Sequence, residues 1–145
     1  MSKSNTWEND LLLLMFNNTN SSLHGDATGL RGSTTAGSYY LSLHTADPGE
    51  AGDQTTNEIA YTSYARVAVA RSGSGFTVST NTVALAANAT FPAGTGGSGT
   101  ATHWGLGCSS SGAGKLLYKS TISPSIVCGS GVTPQLTAGT VVTED

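Results

Sequence analysis

The sequence predicts an all-β protein, an antiparallel jelly-roll β-sandwich preceded by a short N-terminal helix and arm. Three observations predict it: apolar residues alternate with period two from Ser38 onward, glycine-rich turns punctuate them, and helical spacing occurs only near the N-terminus. A chain of 145 residues fits one principal core. The change of period predicts an N-terminal helix and extended arm over residues 1–37 and a jelly-roll domain over 38–145.

The helix comes first. Thr6 is the expected N-cap, Glu8 sits favourably in the first turn, and Trp7, Leu11, Leu14 and Met15 recur at helical spacing. Such a helix is barely three turns long and needs a packing partner, either its own domain or a neighbouring protein. The following "NNTNSSLHGDATGLRGSTTAG" is polar and glycine-punctuated and reads as a long arm. Strands follow. "YYLSLH" places Tyr39, Leu41 and Leu43 on one face, "YARVAVAR" pairs Val67 with Val69, and "GFTVS" pairs Phe76 with Val78. "TVALAANATF" reads as one strand with Val83, Leu85, Ala87, Ala89 and Phe91 inward. "TATHWGLG" turns Thr102, Trp104 and Leu106 inward, "KLLYKSTI" does the same for Leu116, Tyr118 and Ile122, and "SIVC", "TPQL" and "TVVT" complete the series. No fixed-period repeat appears, which argues against a solenoid or propeller.

Composition excludes several functions. Charged residues make up 10% of the chain, against roughly 25% in an ordinary soluble domain. Net charge is −3 and no Lys/Arg cluster exists to neutralise phosphates, so nucleic acid is not an expected partner. The apolar run "LLLLMF" falls far short of the roughly 20 residues of a membrane span. Its flanks lack the charge and cleavage pattern of a signal peptide, so synthesis in the cytoplasm and no membrane partner are expected. Cys108 and Cys128 read as reduced packing residues.

The most chemically suggestive stretch is "SLHTADPGEAGDQTTNE", Ser42 to Glu58. His44, Asp47, Glu50, Asp53 and Glu58 do not match a calcium loop, and His24 and His103 are too distant to supply a zinc-site spacing. Asp-Pro-Gly is a turn signature. The stretch therefore reads as a surface loop whose acids Asp47, Glu50 and Asp53 act, if at all, at an interface. Arg66 and Arg71 flank the Val67/Val69 strand and are expected to form solvated pairs with acids of the 47–58 loop, Glu58 included. "SGAGKLL" fails the phosphate-loop pattern at Ser109 and Leu116, and no Gly-Ser-Gly cluster fits a serine-nucleophile motif. No catalytic residue, metal or cofactor is expected. Tyr39, Tyr40, Tyr61, Tyr64 and Trp104 are weighed as a sugar platform and read instead as core and interface residues.

"YYLSLHTADPGEAGDQTTNEIAYTSYARVAVARS", "NATFPAGTGGSGTATHWGLG" and "SGAGKLLYKSTI" together resemble a family of small virion proteins of tailed bacteriophages. The likeness is to the cement, or decoration, protein of a Bordetella podovirus head, and proteins with this pattern are often labelled tail-fibre-like. The resemblance runs from about Tyr39 to the C-terminus. It implies a non-catalytic jelly roll on the outer surface of the head that binds the major capsid protein and itself, as a homodimer rather than a trimer, and cements adjacent capsomers. A receptor- or glycan-binding tail-fibre module is the alternative. Trp7, Leu11, Leu14 and Met15, with Asp47, Glu50 and Asp53, are the expected capsid or subunit contacts.

Overall fold

The computed structural model describes residues 2–22, 24–25 and 29–144. It contains one helix, α1 (Asn5–Asn17), and nine strands: β1 (Ser38–His44), β2 (Val67–Ala70), β3 (Phe76–Ser79), β4 (Thr82–Leu85), β5 (Ala89–Thr90), β6 (Ser98–Gly107), β7 (Leu116–Gly129), β8 (Gln135–Leu136) and β9 (Thr140–Thr143). The fold is all-β and antiparallel with one short N-terminal helix, as the alternation predicts. The strands form sheets of order β2-β1-β6-β7, β3-β4-β9 and β5-β8. Two compact units result: Met1–Ser38 with Ala70–Asn88 and Thr137–Asp145, and Tyr39–Val69 with Ala89–Leu136.

In the first unit, α1 starts at Ser4, not Thr6, because the Ser4 hydroxyl accepts the Trp7 N–H at 3.4 Å. It ends at Asn18, which takes the left-handed conformation and donates its N–H to Leu13 O. The face turned inward carries Glu8, Leu12 and Phe16, one helical turn apart. Phe16 and Phe76 are fully buried and meet edge to face, with ring centroids 5.1 Å apart. Trp7, Leu11, Leu14 and Met15 lie half-buried beside that face. A run apolar on every side cannot reveal which stripe its partner selects.

The N-terminal segment does not form a unit of its own. Arg71 donates to the carbonyls of Leu14 at 2.9 Å, Met15 at 2.5 Å and Ala36 at 3.0 Å, and to Asn18 Oδ1 at 3.2 Å. One guanidinium thus satisfies orphan carbonyls at the helix C-terminus and ties down the chain beyond it. Asn18 also brackets Ser33, accepting its N–H at 2.7 Å and donating to its carbonyl at 2.8 Å, and Ser21 pairs with Leu30. The described part of the extended arm expected from sequence is thus hydrogen-bonded to the helix end and to Arg71. Residues 23 and 26–28 of the arm lie outside the described residues.

In the second unit, β1 pairs with β6 in the register Leu41↔Leu106, Ser42↔Gly105 and Leu43↔Trp104. A half-covered antiparallel sheet would bury every other residue of β1. Leu41, Ser42, Leu43 and His44 are all 0% exposed. This end of β1 is therefore buried on both faces, Leu41 and Leu43 on one and Ser42 and His44, held by the loop after β1, on the other.

Two strand boundaries differ from the sequence reading. "TVALAANATF" divides into β4 and β5, because the chain bends at Ala86–Ala87 and Ala87 is exposed, not inward. "KLLYKSTI" and "SIVC" instead join as β7. Its pairing with β6 jumps from His103↔Thr121 to Ala101↔Ile126, so residues 122–125 bulge opposite Thr102.

Candidate interaction surface

The loop from Thr45 to Asn57 is built from its base upward. Ile59 N donates to Leu43 O at 2.9 Å and Thr45 N to Asn57 O at 2.8 Å, closing the two ends together. Gln54 is fully buried. Its backbone N–H donates to Gly114 O at 3.0 Å and its side-chain oxygen accepts the Ser109 N–H at 2.9 Å. The amide sits directly over Gly107, where a Cβ would stand 2.1 Å from Gln54 Cδ. Glycine at 107 is what admits the plug.

His44 provides the second anchor. Its Nδ1 lies 2.8 Å from Thr56 O, which only accepts, so Nδ1 carries the proton and Nε2 accepts from Ser42 Oγ at 2.8 Å. Burial holds the imidazole pKa below its ordinary value, favouring this neutral form. A hydroxyl–imidazole pair at this distance resembles an activated serine. Both side chains are sealed at 0% exposure, however, and their visible role is to seat the loop on the sheet.

A charged cluster fixes the end of the loop. Glu58 receives Arg66 through Nε and Nη2, each at 2.7 Å, and the Tyr64 hydroxyl at 2.9 Å. Arg66 also donates to Ser109 O at 2.9 Å and Gly112 O at 2.8 Å. The Arg66 and Glu58 side chains are only 2% and 16% exposed, so this is a buried pair and not the solvated one expected. The Glu58 carboxylate raises the Arg66 pKa, and burial pushes the Tyr64 phenol far above its usual range. Tyr64 in turn accepts the Leu43 N–H at 3.0 Å, linking the cluster to β1.

The tip is polar and open. Asp47 Oδ1 accepts the Gly49 N–H at 2.8 Å, an Asx turn that Gly49 accommodates with φ of 76°. Lys119 Nζ lies 2.9 Å from Asp47 and 3.3 Å from Glu50, whose side chains are 55% and 97% exposed. The Gly49 N–H, followed by Lys119, lowers the Asp47 pKa, and Asp47 raises that of Lys119. Asp53 does not join them. Its carboxylate accepts from the Thr55 hydroxyl at 2.6 Å and the Thr55 N–H at 2.8 Å, contacts that hold its pKa low and shape the turn.

Of the residues selected from sequence, Asp47 and Glu50 are brought together and Asp53 serves the loop internally. Trp7, Leu11, Leu14 and Met15 belong to the other unit, where Trp7 stacks on His24 at 4.4 Å. Arg71 meets backbone carbonyls at the helix end, contrary to the expected pairing with the loop acids. Gln54 and Lys119 were missed. Gln54 gives no sequence signal, whereas Lys119 is the one cation in "LLYKSTI" and its charge was the available clue. Among the described residues, no group of three or more His, Cys, Asp and Glu is placed to hold a metal ion. Cys108 is exposed, Cys128 is buried, and both are free.

The chain is a small antiparallel β protein whose loop after β1 is firmly seated and ends in a polar, acidic tip. The family described as podophage GP4 fiber I protein gp80 matches residues 2–144, and the chain belongs to it. It is a structural, fibre-related component of a podophage virion. No curated protein matches the chain significantly.

Proposed function

We propose that the protein decorates the outside of the phage head, binding the major capsid protein and a second copy of itself, and that it cements adjacent capsomers without catalysis. The observation that carries this reading is the loop after β1. Gln54, His44 and the Glu58–Arg66 pair fix its body, while Asp47 and Glu50 stand in solvent at its tip. A pre-organised surface loses little entropy on docking, and many copies on a symmetric shell multiply modest contacts. Trp7, Leu11, Leu14 and Met15, only half-buried, supply apolar contact area from the first unit.

A second reading is favoured by the fibre description of the family. In it, the same tip belongs to a tail-fibre module that binds a host receptor or glycan. Heads assembled without the protein distinguish the two. Under the decoration reading they burst at a lower temperature, and purified protein added back binds them and restores the wild-type value. Heads of unchanged stability that fail to bind added protein would remove that reading.

A further inference from the structure

We infer that the second unit carries a binding site for a neutral sugar, a single hexose unit held in the cleft that Glu58 and residues 64–66 form with residues 110–112. The site goes beyond the decoration reading, because it would serve the chain equally on a head or on a fibre.

The cleft is open and measures about 240 Å³, lined by Glu58, Tyr64, Ala65 and Arg66 on one side and by Ser110, Ser111 and Gly112 on the other. A drug-sized ligand needs about 300 to 1,000 Å³, so this cleft admits something smaller. Its walls are fixed in advance. Arg66 donates to the carbonyls of Ser109 at 2.9 Å and Gly112 at 2.8 Å, pinning both ends of the segment that carries Ser110 and Ser111. The Tyr64 ring is held with its centroid 5.4 Å from that of Tyr61 and 6.2 Å from that of Phe91. A ligand entering here therefore has little of the protein left to order.

The hydrogen-bonding capacity of the walls selects the ligand. Glu58 Oε1 already accepts from Arg66 Nε and from the Tyr64 hydroxyl, whereas Oε2 accepts only from Arg66 Nη2. A carboxylate oxygen has two lone pairs, so Oε2 retains one for a further donor, and the Glu58 side chain is 16% exposed. That donor is not a cation, because Arg66 already neutralises the carboxylate and repels a second positive charge. An anion fares no better. The Arg66 side chain is 2% exposed and turns its guanidinium to Glu58 and the two carbonyls. A neutral donor remains. Ser110 and Ser111 are exposed, and among the described residues neither hydroxyl has a hydrogen-bond partner, so both are open to the same ligand. The Ala65 methyl and the half-buried Tyr64 ring add apolar wall. Several hydroxyls around a small ring with apolar C–H faces answer all of these groups at once, and that is the chemistry of a pyranose.

NMR titration of the isotope-labelled full chain with the methyl glycosides of glucose, galactose, mannose and N-acetylglucosamine tests the site. At least one glycoside should shift the amide signals of Ala65 and residues 110–112 saturably, with a Kd of about 1 to 10 mM for so small a ligand. No saturable shift from any of them would overturn the site. Methyl glucuronide, which carries a carboxylate on the same ring, should bind at least about fivefold more weakly, and equal affinity would overturn the neutral ligand. Ser110→Ala/Ser111→Ala changes two exposed positions, so it should keep the thermal midpoint yet weaken glycoside binding at least about threefold. Unchanged affinity would overturn the cleft as the location. Competition by polysaccharide from the host cell surface supports the site with a displayed glycan as the source, and glycoside binding without such competition supports it with a free sugar. The measurements use the free chain and are decided independently of where the virion carries it.

Discussion

Replacing Glu58 by alanine removes the acceptor of three hydrogen bonds, two from Arg66 at 2.7 Å and one from Tyr64 at 2.9 Å. The Arg66 side chain, 2% exposed, keeps only the carbonyls of Ser109 and Gly112. A buried charge stripped of its counter-ion costs about 3 to 5 kcal/mol. Glu58 is 16% exposed and water can partly replace its carboxylate, so the lower end, about 3 kcal/mol, is expected. For a chain of this size that corresponds to a fall in Tm of roughly 6 to 12 °C by calorimetry. The cause is testable apart from the size. In Glu58→Ala/Arg66→Met the stranded cation is gone, and the double variant should be more stable than the sum of the two single losses by at least about 1 kcal/mol. Additive losses, or a Glu58→Ala cost below about 1 kcal/mol, would refute the claim that this pair anchors the loop.

Three further perturbations probe other parts of the account. Gly107→Ala places a methyl where Gln54 Cδ would be 2.1 Å away and should cost about 1 to 3 kcal/mol in urea unfolding, with Gln54→Ala in the same chain recovering part of it; an unaffected midpoint would mean that Gln54 is not seated there. Phe16→Ala should cost about 3 to 5 kcal/mol, since Phe16 and Phe76 are both fully buried, and deletion of residues 2–37 should expose Phe76 and unfold the first unit instead of releasing a stable β domain; an unchanged circular dichroism melt of the truncated chain would contradict this. His44, whose pKa burial lowers, takes up a proton more readily unfolded than folded, so its contribution is complete above pH about 6.5 and fades as pH falls below it, with a slope of up to about 1.4 kcal/mol per pH unit; His44→Gln should flatten that slope in denaturation measured from pH 7 to 5, and an identical slope would exclude His44 as its source.

The parts of the fold legible in the sequence are those where one face of a strand meets a core. Val83, Leu85, Phe91, Trp104 and Leu106 alternate with polar or small neighbours and are all buried. Residues whose burial a second contact decides were not legible. Ser42 and His44 appear outward by alternation, yet the loop after β1 folds over their face and buries them. In α1, apolar residues surround the helix, and the inner stripe of Leu12 and Phe16 is selected by chain far away in sequence, as where Phe76, sixty residues from Phe16, meets it edge to face. The loop was legible as a turn-rich surface segment with acids. What seats it, Gln54 over Gly107 and Glu58 on Arg66, depends on long-range approach that spacing does not encode.

The central claim is that this virion protein sits on the outside of the head and holds capsomers together. Cryo-electron microscopy of the intact virion tests it most directly. The account predicts density fitting this chain at symmetry-related positions on the outer head surface, bridging neighbouring capsid subunits, with the Asp47–Glu50 tip at a contact. Density for the chain confined to the tail fibres, with a bare head surface, would contradict it.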